Sequence, residues 1–116
     1  MRDTPISLRV ATTAVFASAA LHIGAVATAG FAQPALILLG VSSFYVLLGL
    51  GLLRRLGWVT YLTFICMLIG AKGALIEIGR ETYADYWIIG IALADGLAAA
   101  ALFVALWQSS PTQQVA

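Results

Sequence analysis

Residues 68–102, LIGAKGALIEIGRETYADYWIIGIALADGLAAAAL, decide the fold of this chain. Two long apolar runs flank one short polar segment, and the runs contain Lys72, Glu77 and Asp95. A charged side chain at the centre of a membrane helix costs about 2.5–3.5 kcal/mol on insertion scales. Such residues persist where they pair, reach water or serve a function. The stretch therefore predicts a membrane-spanning helical hairpin whose charged residues pair, reach water or serve a function.

The composition of the whole chain is also that of a membrane protein. Of the 116 residues, 62% are hydrophobic and 9% are charged, whereas an average soluble domain is about 25% charged. The formal net charge of +1 is too small to indicate a nucleic-acid partner. The single cysteine, Cys66, cannot form an internal disulfide or build a cysteine-rich metal site.

The hydrophobic pattern predicts an all-α integral membrane protein, an up-down bundle of four transmembrane helices. Runs without charges predict helices over 10–29, 34–53, 56–78 and 86–107, because about 20 apolar residues match one bilayer crossing. Pro34 would open the second helix, at a position that tolerates proline. The short connections between the runs make consecutive helices antiparallel neighbours.

Basic residues predict the orientation of the bundle. One side carries four arginines and the other only Arg80, next to two acidic residues; the four are Arg2, Arg9, Arg54 and Arg55. The positive-inside rule then places both termini in the cytoplasm. Residues 1–9 form a cytoplasmic head, and 108–116 form a disordered cytoplasmic tail. The content of alanine, leucine and glycine favours a bacterial inner membrane.

Small residues recur at helical spacing in each predicted helix. In the third helix these are Thr63, Cys66, Gly70 and Gly73, with Glu77 completing the stripe. Membrane helices associate through small residues because lipid provides no hydrophobic drive between helices. The simplest interpretation is packing within the bundle, and the alternative is an interface with another membrane-protein subunit or a second copy of the chain.

Counting depth along the helices places polar groups in one layer. At 1.5 Å per residue, these groups lie roughly 10–13 Å from the outer ends of their helices. The candidate intramembrane layer consists of His22, Ser42, Ser43, Lys72 and Asp95. Glu77 lies nearer the surface, as an acid at the outer mouth. Together they predict a polar pocket that opens toward the outside.

The two charged groups of this layer allow two interpretations. Lys72 and Asp95 would form a structural salt bridge, or a pair that carries protons or binds a substrate. However, Lys72 and Glu77 point roughly 140° apart on their helix. If Glu77 faces the bundle, Lys72 lies on a flank and extends outward along its stem. If Lys72 faces Asp95 instead, Glu77 turns toward a neighbouring helix, water or Arg80.

The uncharged members have simpler interpretations. His22 is a hydrogen-bonded packing residue, a member of a proton relay or a ligand to a cofactor. Ser42 and Ser43 are expected to bond back to carbonyls of their own helix. We predict no cofactor, since one histidine cannot ligate haem twice within a chain. We also predict no metal site, because Cys66 lies much deeper than His22.

Three classes of function fit these features. The first is an accessory, assembly or stabilising subunit of a larger membrane complex, which requires only a compact bundle with exposed small-residue faces. This class is our expectation, because the chain has no soluble domain and no nucleophile motif, phosphate loop or dinucleotide fingerprint.

The second class is a small dimeric transporter or channel that uses the polar layer. The length and four crossings are similar to those of small multidrug-resistance transporters. Those proteins depend on a glutamate within the first helix, where this chain has only His22, so their chemistry does not carry over. The third class is a small membrane enzyme acting on a lipid-soluble substrate, with His22, Lys72 and Asp95 as acid–base groups.

Overall fold

The computed structural model describes residues 5–28, 37–79 and 85–108, and this part of the chain is all-helical. Its four helices are α1 (Ile6–Thr28), α2 (Ile37–Leu53), α3 (Gly57–Glu77) and α4 (Asp85–Gln108). Helices α1, α3 and α4 are long and apolar enough to span a membrane, and α2 is shorter at 17 residues. The predicted turn at 30–33, the helix start at Pro34, most of the 80–85 loop and the tail after Gln108 lie outside the described residues.

Helix α1 begins four residues before the charge-free run that predicted it. Its first turns contain Arg9, whose side chain is exposed. Pro5 precedes the helix and its carbonyl accepts a hydrogen bond from the Arg9 N–H at 3.1 Å. The prediction of 10–29 counted only uncharged residues. A helix can begin before such a run, because a long cationic side chain such as that of Arg9 can reach water from the end of an apolar helix.

The connection between α2 and α3 is a tight turn of residues 54–56. The N–H of Leu56 bonds the carbonyl of Gly51 at 3.2 Å, and the N–H of Arg55 bonds that of Leu52 at 2.9 Å. Arg55 has φ 59°, the left-handed conformation that usually falls to glycine at this place. We call this end of the bundle the turn end and the opposite end the far end.

Helix α4 packs along both α1 and α3, and α1 packs along both α4 and α2. The Ser7 hydroxyl of α1 donates to Oε1 of Gln108 at 3.1 Å, so the start of α1 meets the end of α4. Helix α2 packs on α1 and makes few contacts with α3. Gly51 of α2 lies against Val59 of α3 beside the turn, where a Cβ on Gly51 would collide with the Val59 side chain. The bundle is therefore closed at the turn end and open between α2 and α3 toward the far end.

Two hydrophobic clusters form the core. The larger cluster draws on all four helices and includes Val15, Leu52, Met67 and Leu102. The smaller one, toward the far end, is built from Ala74, Ile88 and Ile91. Most large apolar side chains of α3 are exposed, and α3 is one of the three described helices that are long and apolar enough to span a membrane.

We predict that Leu102→Ala destabilises the fold far more than Leu93→Ala. The Leu102 side chain is 0% exposed and Leu93, on the same helix, is 68% exposed. Removing a fully buried leucine side chain leaves a cavity and costs about 2–5 kcal/mol. Thermal unfolding in a mild detergent compares the two variants, and equal melting temperatures would contradict this packing.

Candidate functional site

The carboxyl group of Asp95 is the centre of the buried polar groups. Asp95 is 0% exposed and faces the other helices from the middle of α4. The Ser18 hydroxyl of α1 donates a short hydrogen bond to Oδ1. The Tyr45 hydroxyl of α2 donates a longer one, at 3.5 Å, to Oδ2. A buried polar group is costly unless it is hydrogen-bonded, and these two bonds satisfy the Asp95 carboxyl group. They also connect three helices, α1, α2 and α4.

The fourth helix approaches this group through a glycine. A Cβ atom built at Gly70 of α3 would collide with the Asp95 carboxylate and with the phenol oxygen of Tyr45. Only a residue without a side chain lets the α3 backbone lie against both groups. Helices α1 and α2 contact Asp95 through hydrogen bonds, and α3 contacts it through the backbone at Gly70. All four helices therefore meet at Asp95.

The imidazole of His22 lies beside this cluster. Its Nδ1 atom is 2.7 Å from the carbonyl oxygen of Ser18. A carbonyl can only accept, so Nδ1 donates and Nε2 of the neutral ring is an acceptor. The ring meets the Tyr45 ring edge-on, with centroids 5.2 Å apart. We call Ser18, His22, Tyr45 and Asp95 together the Asp95 network.

A cavity of about 280 Å³ lies next to the Asp95 network, where α2 and α3 diverge. His22 and Tyr45 border it, together with Gly70 and Gly73 of α3. The remaining wall is apolar except for one acid; it consists of Leu38, Val41, Ala74, Glu77, Ile88 and Ile91. Glu77 lies two helical turns, about 10 Å, beyond Gly70 toward the far end. The cavity thus has an apolar body, a polar inner end and an acid at the far end.

The residues of the predicted polar layer fall into two groups. His22, Ser42 and Asp95 are buried inside the bundle, whereas Ser43 and Lys72 are exposed. Ser43 bonds back to the Leu39 carbonyl at 3.0 Å, as expected. The same expectation was wrong for Ser42, whose hydroxyl donates across helices to the Ala19 carbonyl at 2.9 Å. Ser42 faces α1, so a carbonyl of the neighbouring helix lies within its reach.

Lys72 is exposed, and the described part of the chain contains no ion pair between it and Asp95. Glu77 follows the small-residue stripe and borders the cavity. The structure therefore has the arrangement in which Lys72 lies on a flank of α3, where its stem can carry the charge toward the interface. Two hydroxyl groups, rather than an ammonium group, stabilise the buried carboxyl.

Ser18, Tyr45 and Gly70 were not among the predicted site residues. Ser18 stands four residues before His22, and Tyr45 three residues after Ser42. Positions three or four apart share a helix face, so this spacing was a usable signal for the two hydroxyl groups. Gly70 was predicted as a packing residue together with Gly73. A Cβ at Gly73, however, would meet nothing within 4 Å, because Gly73 borders the cavity.

Neither a metal-binding group among the described residues nor similarity to known proteins indicates what this site does. Within residues 5–28, 37–79 and 85–108, no group of three or more His, Cys, Asp or Glu side chains is arranged to hold a metal ion. The chain matches no protein-family model, no curated protein and no solved structure. Its function is therefore inferred from the geometry of the site.

We predict opposite effects for the two glycines of the α3 stripe. Gly70→Ala places a methyl group against Asp95 and Tyr45, and such overpacking costs about 1–3 kcal/mol. Gly73→Ala meets open space and gains up to about 1 kcal/mol of helix propensity. Thermal unfolding of both variants measures the difference. A Gly70→Ala protein as stable as Gly73→Ala would contradict the close contact.

We also predict that Asp95 is coupled to Ser18 and not to Lys72. Residues that share a hydrogen bond show coupling energies of about 0.5–3 kcal/mol, and independent sites add within about 0.5 kcal/mol. A double-mutant cycle of Ser18→Ala with Asp95→Asn is compared with one of Lys72→Met with Asp95→Asn. Both are followed by unfolding free energy. Strong coupling in the Lys72 cycle would show a salt bridge instead.

Proposed function

We propose that this protein binds a lipid-soluble molecule in the cavity between α2 and α3. The observation that carries this proposal is that His22, 5% exposed, borders an apolar-walled cavity with its Nε2 atom free of hydrogen bonds to the described residues. Ligand sites typically combine mostly apolar walls with a few placed polar groups, and they occur between the helices of bundles. The Asp95 network would be the polar end of the site.

The divergence of α2 and α3 supplies the access route. We propose that all four helices cross the membrane with both termini in the cytoplasm, because Arg9, Arg54 and Arg55 gather at the turn end. The cavity would then lie in the outer half of a bacterial inner membrane. Its opening between the two helices would face hydrocarbon, so a lipid-soluble molecule could enter sideways without passing through water.

A membrane enzyme would be an extension of this binding function. His22 and Asp95 belong to one hydrogen-bonded group, and a bound molecule at His22 could exchange a proton with it. A transporter has less support. Side chains on the turn-end side of Tyr45 fill the bundle, among them Leu48, Met67 and Leu102, and they separate the cavity from that end.

An accessory subunit or a homodimer is the second candidate, and a different surface favours it. A groove of about 360 Å³ runs between α1 and α4 and includes Ala14, Ala17 and Ala94. Small residues on facing helices let another helix approach closely. This surface fits the expectation of a partner subunit and does not require a ligand.

The test of the proposed function is to identify what leaves the membrane with the protein. The chain is extracted from native membranes in a mild detergent, its mass is determined, and bound molecules are released with solvent and analysed by mass spectrometry. The variant Gly73→Leu fills the cavity, and Gly40→Leu is the matched control. A Cβ at either glycine meets nothing within 4 Å, but Gly40 does not border the cavity.

We expect a defined lipid-soluble compound with the wild-type protein and with Gly40→Leu, and its loss in Gly73→Leu. Equal recovery from all three proteins would contradict binding in the cavity. A stable assembly with other chains, carrying no such compound, would support the accessory subunit instead.

A further inference from the structure

We propose that the molecule in the cavity carries a hydroxyl group on a ring, as a lipid-soluble phenol or quinol does, and that this hydroxyl donates to Nε2 of His22. The apolar part of the bound molecule would extend out of the cavity through the opening between α2 and α3. This inference rests on the proposed function and adds the chemical class of the ligand.

The hydrogen-bond donors at the polar end of the cavity already donate to other groups of the protein. The Ser18 and Tyr45 hydroxyl groups both donate to Asp95, and Nδ1 of His22 donates to the Ser18 carbonyl. What remains toward the cavity are acceptors, namely Nε2 of His22 and the lone pairs of the Tyr45 oxygen. A ligand must therefore bring the donor. A quinone, an ether or an ester offers only acceptors and would leave Nε2 unpaired.

The size of the cavity fits a single ring. An engineered cavity of about 150 Å³ holds benzene, and this cavity, at about 280 Å³, has nearly twice that volume. The edge-on pair of His22 and Tyr45 offers ring surfaces at the polar end, and aromatic rings favour such edge-to-face contacts. A ring with a short substituent would fill the space, and a longer tail would extend into the opening.

A neutral hydroxyl fits this position better than an ammonium group. An ammonium ion would also donate to Nε2, but Glu77, the acid in the cavity wall, lies about 10 Å along α3 from Gly70 at the polar end. The wall between them is apolar and includes Val41 and Ile91. Charges inside a membrane are costly, whereas a phenol crosses the same space uncharged. The geometry thus selects a donor that is neutral and attached to an apolar body.

His22 permits a direct test because it is the only histidine in the chain. Protein labelled with ¹⁵N-histidine gives one Nδ1 and one Nε2 signal in lipid nanodiscs. The probes are 4-butylphenol and its methyl ether, 4-butylanisole, which has nearly the same shape and no donor. We expect the phenol to move the Nε2 signal upfield while Nδ1 stays in place, and the ether to move neither.

Binding of both probes is then measured by titration calorimetry, with empty nanodiscs as the blank. We expect the phenol to bind about 2- to 12-fold more tightly than the ether, which is the range for one hydrogen bond. His22→Gln keeps an acceptor near the position of Nε2 and should keep the preference. His22→Phe keeps a ring against Tyr45, removes the acceptor and should abolish the preference.

The outcomes separate this inference from the proposed function. Equal binding of phenol and ether to the wild-type protein, or a preference that survives in His22→Phe, would overturn the ligand class and leave cavity binding intact. Binding with an unmoved Nε2 signal would do the same. If neither probe binds the wild-type protein, while its melting curve shows it folded, both the inference and the proposed function fail.

Discussion

A carboxyl group buried in an apolar bundle must find its hydrogen bonds within the protein, and Asp95 is that group here. Its two oxygens accept from a serine of α1 and a tyrosine of α2, and a glycine of α3 lies against it. These contacts fix the depth and rotation of each helix relative to α4. Away from Asp95, the described contacts between helices are mostly apolar, apart from the hydrogen bonds of Ser42 to Ala19 and of Ser7 to Gln108.

The same contacts explain why a cavity exists beside the carboxyl. Helices α2 and α3 are held together by a three-residue turn at one end and meet through Gly51 and Val59 just above it. Tyr45 and Gly70 both lie against Oδ2 of Asp95. The contacts between α2 and α3 are few in total. The space that opens there is bordered by residues of all four helices. Protein interiors contain few voids larger than a water molecule, so a space of about 280 Å³ sets this end of the bundle apart from its packed core.

Which groups of the site remain for a ligand depends on which of them already donate or accept hydrogen bonds within the protein. Asp95 accepts hydrogen bonds from two hydroxyl groups, and the Ser18 carbonyl accepts one from Nδ1 of His22. Each donor is directed inward, and the acceptors are left toward the cavity. An apolar cavity with only acceptors at its end is selective, because an unpaired polar group of a bound molecule or of the site costs about 1–3 kcal/mol.

The sequence by itself determined that the described part of the chain is helical, that this part has four helices and that Asp95 and His22 lie inside apolar segments. These properties follow from the lengths of the apolar runs, which are near the roughly 20 residues of a spanning helix. Ser18 and His22, or Ser42 and Tyr45, could also have been placed on shared faces by their spacing. The rotation of one helix against another has no such local signature. Only the tertiary structure decided that Lys72 lies on a flank, that Gly70 rather than Gly73 contacts Asp95, and that α2 and α3 diverge. Each of these depends on which faces meet, and among helices that are apolar nearly all round, a few polar contacts make that choice.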